Sequence, residues 1–80
     1  MNTYHVHYFG LLADRRGLAQ ETVQHKADTP EALFEDLLRN NRTGLSKNDI
    51  RPAVNDEFVA WNHPLKDGDS IAFLPPMSGG

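Results

Sequence analysis

Leu33, Phe34, Leu37 and Leu38 fall on one stripe of a helix, whereas the apolar residues before and after that segment recur at every second position. A helix with one apolar stripe and strands with one apolar face are each unstable alone. The chain must therefore lay its helix across a sheet, an α+β arrangement. Tyr4, Val6 and Tyr8 alternate with His5, His7 and Phe9, which predicts a first strand over 3–9 with one face in the core. Thr22 and Val23 mark a second strand over 21–27, joined to the first as a long-looped hairpin. Within that loop, 11–17 has the length of a helical turn or two, closed by Gly17 in a left-handed cap. Thr29-Pro30 opens the main helix, the hydroxyl accepting a bond from an unpaired N–H and proline occupying the tolerant first position. Glu31, Glu35 and Asp36 should face water near its start, with Arg39 complementing the dipole near its end. Asn40 to Gly44 ends it, and 45–49 reads as loop or a short turn of helix.

From Ala53 the chain reads as strand again: Ala53-Val54-Asn55, a turn at Asp56-Glu57, then Phe58-Val59-Ala60-Trp61. Lys66-Asp67-Gly68-Asp69 is a glycine-containing turn, and 70–74 is a last strand stopped by Pro75-Pro76. No repeat or linker interrupts the pattern. Residues 1–80 read as a single domain, with 75–80 as an extended tail.

Eighty residues bury only roughly 60–65% of the unfolded surface, leaving little room for an enclosed active site. No serine, histidine and acid arrangement suggests a nucleophile. With no cysteine there is neither a disulfide framework nor a thiolate metal site, which suits a reducing cytoplasm. A net charge of -3, with Arg15-Arg16 as the only basic pair, gives no reason to bind nucleic acid. No apolar run approaches the ~20 residues of a membrane span, and the N-terminus lacks the pattern of a signal peptide. Asn41-Arg42-Thr43 is then a glycosylation sequon by accident. His5 and His7 share a strand face, but two ligands fall short of the three or four that zinc needs, so a solvated or interface face is expected. Asp67-Gly68-Asp69 lacks the spacing and terminal glutamate of a calcium loop. Trp61 follows Val59 by alternation into the core.

The tail Pro75-Pro76-Met77-Ser78-Gly79-Gly80 has a physical logic of its own. Two prolines cannot continue a ladder and project the chain off the sheet. Two glycines without Cβ atoms can pass down a narrow channel and approach a partner closely. A carboxylate at the end of such an arm is open to activation as an acyl-adenylate and exchange for a thiocarboxylate. The plain alternative is an idle glycine tail.

Taken together, Ala53-Val54-Asn55, Leu65-Lys66-Asp67-Gly68-Asp69, Ile71-Ala72-Phe73-Leu74-Pro75-Pro76 and Ser78-Gly79-Gly80 resemble the C-terminal signature of the molybdopterin-synthase small-subunit (MoaD) family. Tyr8-Phe9-Gly10 and the helix opening at Thr29 are similar to that family too. The resemblance implies a ubiquitin-like β-grasp fold, a mixed sheet packed on one main helix with a flexible Gly-Gly tail. It implies a sulfur carrier of molybdenum cofactor biosynthesis. An activating enzyme of the MoeB type would use ATP to adenylate Gly80, and sulfur from a persulfide donor would make the thiocarboxylate. The tail, with Gly79 threading, would then enter the large subunit of the MoaE type, in a heterotetramer, and sulfurate cyclic pyranopterin monophosphate. No stably bound cofactor is expected. Gly10 stands where the family usually has alanine, and Asp14-Arg15-Arg16 departs from its commoner Arg-Glu pattern.

Alternation also predicts that Val6, Tyr8, Val59, Trp61, Ile71 and Phe73 face the helix, and that Phe9, Phe58, Ala72 and Leu74 lie on the opposite face. The resemblance makes Phe9, Phe58 and Leu74, together with Pro75, Pro76, Met77 and Ser78, the surface that meets the partners. Two related functions share the activation chemistry and remain open: a carrier for thiazole synthesis of the ThiS type, and a ubiquitin-like protein modifier. The Pro-Pro before the tail and the longer first hairpin speak against the thiazole carrier.

Overall fold

The structure is a computed structural model that describes residues 1–39 and 47–75. The order is β1 (Asn2–Tyr8), α1 (Leu11–Arg16), β2 (Gln20–His25), α2 (Pro30–Phe34) running on into a wide π-type turn (Glu35–Arg39), a 3-10 turn (Lys47–Asp49), β3 (Arg51–Val54), β4 (Glu57–Phe58) and β5 (Ser70–Leu74). The sheet order is β2-β1-β5-β3-β4. The central pair β1 and β5 is parallel, and the other pairs are antiparallel. This is the mixed sheet grasping one main helix that the resemblance implied.

Thr29 opens α2 in extended conformation, its hydroxyl accepting from the Ala32 N–H at 3.2 Å, with Pro30 in the first turn. The Glu31 N–H, another donor without an intrahelical partner, reaches the Trp61 carbonyl at 3.1 Å. Leu33, Phe34, Leu37 and Leu38 are all buried against Tyr4, Val6, Tyr8, Ile71 and Phe73. Phe73 is the centre of this core: Phe34 meets it edge-on at 5.7 Å, and Trp61 and Tyr8 stack on it at 6.1 and 6.4 Å. Trp61 and Val59 keep to the core side as alternation required, although they lie beyond the short β4. Glu31 and Glu35 are half-buried rather than solvated, and Glu31 pairs with Lys47. Asp36 is exposed and bonds His25 Nε2 at 2.6 Å.

Several strand limits move from their sequence positions, each for a local reason. Asn55 and Asp56 both take positive φ, 50° and 71°, and make the two-residue loop between β3 and β4. The turn therefore sits one residue earlier than Asp56-Glu57, because asparagine and aspartate tolerate the left-handed region that such a loop needs at both centres. β3 begins at Arg51 and includes Pro52, whose carbonyl still accepts from the Val59 N–H at 3.2 Å. β1 ends at Tyr8, because Gly10 turns the chain at φ 55° into α1. β2 ends at His25, two residues short of Ala27, whose N–H bonds His25 Nδ1 at 2.9 Å. The expected end of the main helix at Asn40 to Gly44 and the first part of the following loop lie outside the described residues.

The loop holding α1 is closed as the sequence indicates, by Gly17 at φ 87° with its N–H on the Ala13 carbonyl at 2.9 Å. Arg16 then pins it. Its guanidinium meets both oxygens of Glu21, at 2.8 and 3.1 Å, and donates to the Leu37 carbonyl at 3.2 Å. The Tyr8 hydroxyl donates to the same carboxylate. Burial pushes the Tyr8 phenol pKa above its ordinary value, and the Glu21 carboxylate adds to the rise.

Two predictions follow from this packing. Leu33→Ala should lose about 2–5 kcal/mol of stability through lost transfer energy and the cavity left behind, read as a lower urea midpoint at unchanged slope. Because the Tyr8 pKa is raised on folding, its contribution is complete below about pH 10, where an unfolded tyrosine titrates, and drains away as pH climbs toward the folded value. Tyr8→Phe should flatten the alkaline fall of stability in urea titrations carried above that pH, and an unchanged slope there would refute the linkage.

Candidate functional site

The outer face of the sheet, away from α2, divides into two halves. On the β2 and β1 side it is polar: His5 and His7 look outward beside Thr22 and Gln20, with His5 Nδ1 3.3 Å from the Thr22 hydroxyl. On the β5, β3 and β4 side it is apolar. Phe9, Ala53, Phe58, Ala72 and Leu74, with Asp56, line a shallow depression of about 200 Å³. A neighbouring hollow of about 410 Å³ continues it past His7, Asn55 and Ser70.

This placement follows from β5. Its residues alternate, Ile71 and Phe73 fully buried and Ser70, Ala72 and Leu74 half-buried on the other side. Register carries the alternation across the sheet. Ala72 sits opposite Ala53 and beside His7, and Ala53 in turn sits opposite Phe58. Phe58 is 59% exposed and Phe9 48%, among the large apolar side chains most open to solvent. Two phenylalanines facing water around one depression form a contiguous apolar patch, the usual mark of a binding surface.

The structure thus brings Phe9, Phe58, Ala72 and Leu74 together, as alternation predicted. Pro75 is half-buried at the edge of this face, against Gly10. Pro76, Met77, Ser78, Gly79 and Gly80 lie outside the described residues. Sequence reasoning missed Arg51, whose guanidinium lies over the Phe58 ring at 4.5 Å, and Asp56 on the rim. The signal was available. Had the strand been extended back through Pro52, parity with Ala53 would have put Arg51 on the outer face, opposite Leu74.

Asp67 and Asp69 serve the turn before β5. Asp67 accepts the Thr3 N–H at 2.6 Å and Asp69 the Lys66 N–H at 2.8 Å, while Gly68 at φ 89° donates to the Thr3 carbonyl. Asn55 reinforces it, bonding Asp69 and accepting the Ser70 N–H, both at 3.1 Å. These groups fix where β5 starts, and so which of its residues face outward. Among the described residues, no helix is long and apolar enough to cross a membrane.

A mixed five-stranded sheet around one main helix, with an apolar outer face leading to the base of the tail, defines a protein of the ubiquitin-like β-grasp class. Residues 6–80 match the model of the ThiS family, and the chain belongs to that family. It is 35% identical over 76 residues to the molybdopterin synthase sulfur carrier subunit of Escherichia coli (strain K12), covering 91% of this chain and 94% of that one. Among solved structures it is similar to a complex of subunits 1 and 2 of the molybdopterin-converting factor from Helicobacter pylori 26695. There the TM-score is 0.66 and the identity 28%, over 98% of this chain and 99% of that one. The small archaeal modifier protein 1 of Haloferax volcanii shares the fold, with a TM-score of 0.80 at 21% identity over 96% of this chain and all of that one.

The exposure of Phe58 has a direct consequence for folding. Phe58→Ala should change the unfolding free energy by no more than about 1 kcal/mol, since the ring is mostly in water and loses mainly its contact with Arg51. Chemical denaturation checks this. A loss as large as that of a core leucine would place Phe58 in the core and remove it from the exposed apolar face.

Proposed function

We propose that this chain is a sulfur carrier of molybdenum cofactor biosynthesis, working through the carboxylate of Gly80. The observation that carries the reading is the apolar outer face of Phe9, Phe58 and Leu74 running to Pro75, where the arm bearing Gly79-Gly80 begins. A partner that covers this face takes up the arm beside it. The naming of the Escherichia coli relative as a molybdopterin synthase sulfur carrier subunit favours this function over thiazole synthesis.

In the proposed cycle an activating enzyme of the MoeB type uses ATP, and the Gly80 carboxylate displaces pyrophosphate to form an acyl-adenylate. A persulfide then displaces AMP to form an acyl disulfide, and a thiol cleaves its S–S bond, leaving the thiocarboxylate on Gly80 and a disulfide on the donor. The large synthase subunit, of the MoaE type, docks on the outer face, and the arm delivers the sulfur to cyclic pyranopterin monophosphate within a heterotetramer. Hydrolysis of the spent acyl end restores the carboxylate. The domain supplies docking area and a handle, which suits a chain of 80 residues. The working compartment is the cytoplasm, and no cofactor stays bound.

Incubation with ATP, an activating enzyme and a sulfur source should raise the intact mass by one oxygen-to-sulfur exchange. Deleting Gly80, or extending the chain beyond it by one residue, should abolish the gain while leaving thermal unfolding unchanged. A Gly80-deleted chain that still supported molybdopterin formation at the full rate would refute the carrier reading. Conjugation to protein lysines in place of sulfur transfer would select the modifier.

A further inference from the structure

Gly10 meets two demands at once. Its backbone, at φ 55° and ψ -129°, lies in a region that L-residues with a Cβ avoid, and this turn takes the chain from β1 into α1. The Gly10 carbonyl then accepts the Ala13 and Asp14 N–H groups at 3.1 and 3.3 Å, starting the helix. Independently, a Cβ built on Gly10 would lie 3.3 Å from Cγ of Pro75. The glycine therefore leaves a seat for the proline ring. Gly17 and Gly68 also have positive φ, but a Cβ on either would meet nothing within 4 Å, so among the described glycines the close approach is particular to Gly10.

Pro75 is where β5 has ended and the arm begins. Its ring fixes φ, so the direction in which the chain leaves the sheet depends on where the ring rests. It rests on Gly10, the residue that follows Phe9 of the docking face. We infer that Gly10 is a positioning residue for the tail: the space above its Cα seats Pro75 and aims the arm relative to the outer face. The inference rests on the carrier function proposed above. An alanine here would both add backbone strain and crowd the proline. The partner meets Phe9 and the seat as consecutive residues, so docking and the aim of the arm share one rigid corner.

The test uses five chains: wild type, Gly10→Ala, Pro75→Ala, the double variant, and a semisynthetic chain carrying D-alanine at position 10. D-alanine accepts positive φ without strain and points its methyl away from the side an L-residue would occupy. Each chain is converted chemically to its thiocarboxylate, so activation is bypassed. Affinity for the large subunit is measured by calorimetry, and delivery to cyclic pyranopterin monophosphate in single turnovers. Gly10→Ala should slow delivery by about tenfold or more, as misplacement of a reacting group does, with affinity unchanged. The D-alanine chain should deliver like wild type. Pro75→Ala, which removes the seated ring, should slow delivery as Gly10→Ala does, and the double variant should be no slower than the slower single variant, because both changes abolish the same seat. A Gly10→Ala chain that melts early but delivers at the wild-type rate would overturn the inference, as would a double variant whose losses multiply as those of independent sites.

Should the wild-type thiocarboxylate deliver no sulfur at all, the proposed function has failed, and the seat is judged by NMR instead. A nuclear Overhauser contact between the Gly10 Hα atoms and the Pro75 ring should be present in wild type and lost in Gly10→Ala. Its absence from wild type would refute the seat whatever the function.

Discussion

The parallel pairing of β1 with β5 governs the rest of the molecule. It sets Val6 beside Ile71 and Tyr8 beside Phe73, and these four side chains are the floor on which α2 lies. A strand has a period of two, so a slip of one residue would turn Ile71 and Phe73 to solvent and bring Ala72 and Leu74 beneath the helix. Burying the Phe73 ring against Phe34, Trp61 and Tyr8 makes that slip costly. One register thus fixes the core and, on the reverse side, the apolar face. The apolar outer face is the complement of the core's alternation.

Holding that register in a small domain requires the ends of β5 to be tied. At its start the Asp67-Gly68-Asp69 turn is stitched to β1 by the Gly68 and Thr3 backbones, and Asn55 locks Ser70 to the β3–β4 loop. At its end, Pro75 meets Gly10. The Gly10 corner is itself held by the α1 loop, which Arg16 anchors to Glu21 of β2 and to the Leu37 carbonyl of the main helix. A forked guanidinium on a half-buried carboxylate is stronger than a surface pair, since both groups keep their hydrogen bonds while largely shielded from water. The same arginine takes a carbonyl inside the wide turn of the main helix. A side chain that claims a helix carbonyl in this way is a recognised cause of irregular turns.

The elements easiest to read in the sequence were those specified within a few residues. Thr29-Pro30 predicts its helix start because the capping bond closes between Thr29 and Ala32, and Gly17 predicts its cap because a left-handed residue there needs no distant support. The face assignments of β1 and β5 came from alternation alone, and with them the grouping of Phe9, Phe58 and Leu74. What was hidden depends on contacts across the chain. Arg16 and Glu21 are five residues apart, but nothing local says that the fork also reaches Leu37. Pro52 lacks an N–H, and the strand read from Ala53 alone stops short of it. β3 accommodates it because β4 pairs only with Ala53 and Val54, and this hid Arg51. The turn at Asn55-Asp56 was misplaced by one residue because either dipeptide is polar enough to turn, and only the pairing of Val54 with Glu57 decides between them.

An exposed phenylalanine is a liability in a domain with few residues to spare, and Phe58 shows how the chain limits it. Arg51 lies over one face of the ring, giving it a cation–π partner while the guanidinium stays hydrated. One face of the ring is therefore shielded by a group that itself stays in water, while the rest remains exposed. Asp56 keeps the rim charged, and the two-residue β4 leaves little free edge for unwanted strand pairing. The same principle applies at the other end of the patch, where Phe9 stands between Tyr8, fixed in the core, and Gly10, fixed by its turn. A residue flanked by two anchored neighbours has little backbone freedom left to lose, so a partner covering Phe9 would have only its side chain to order.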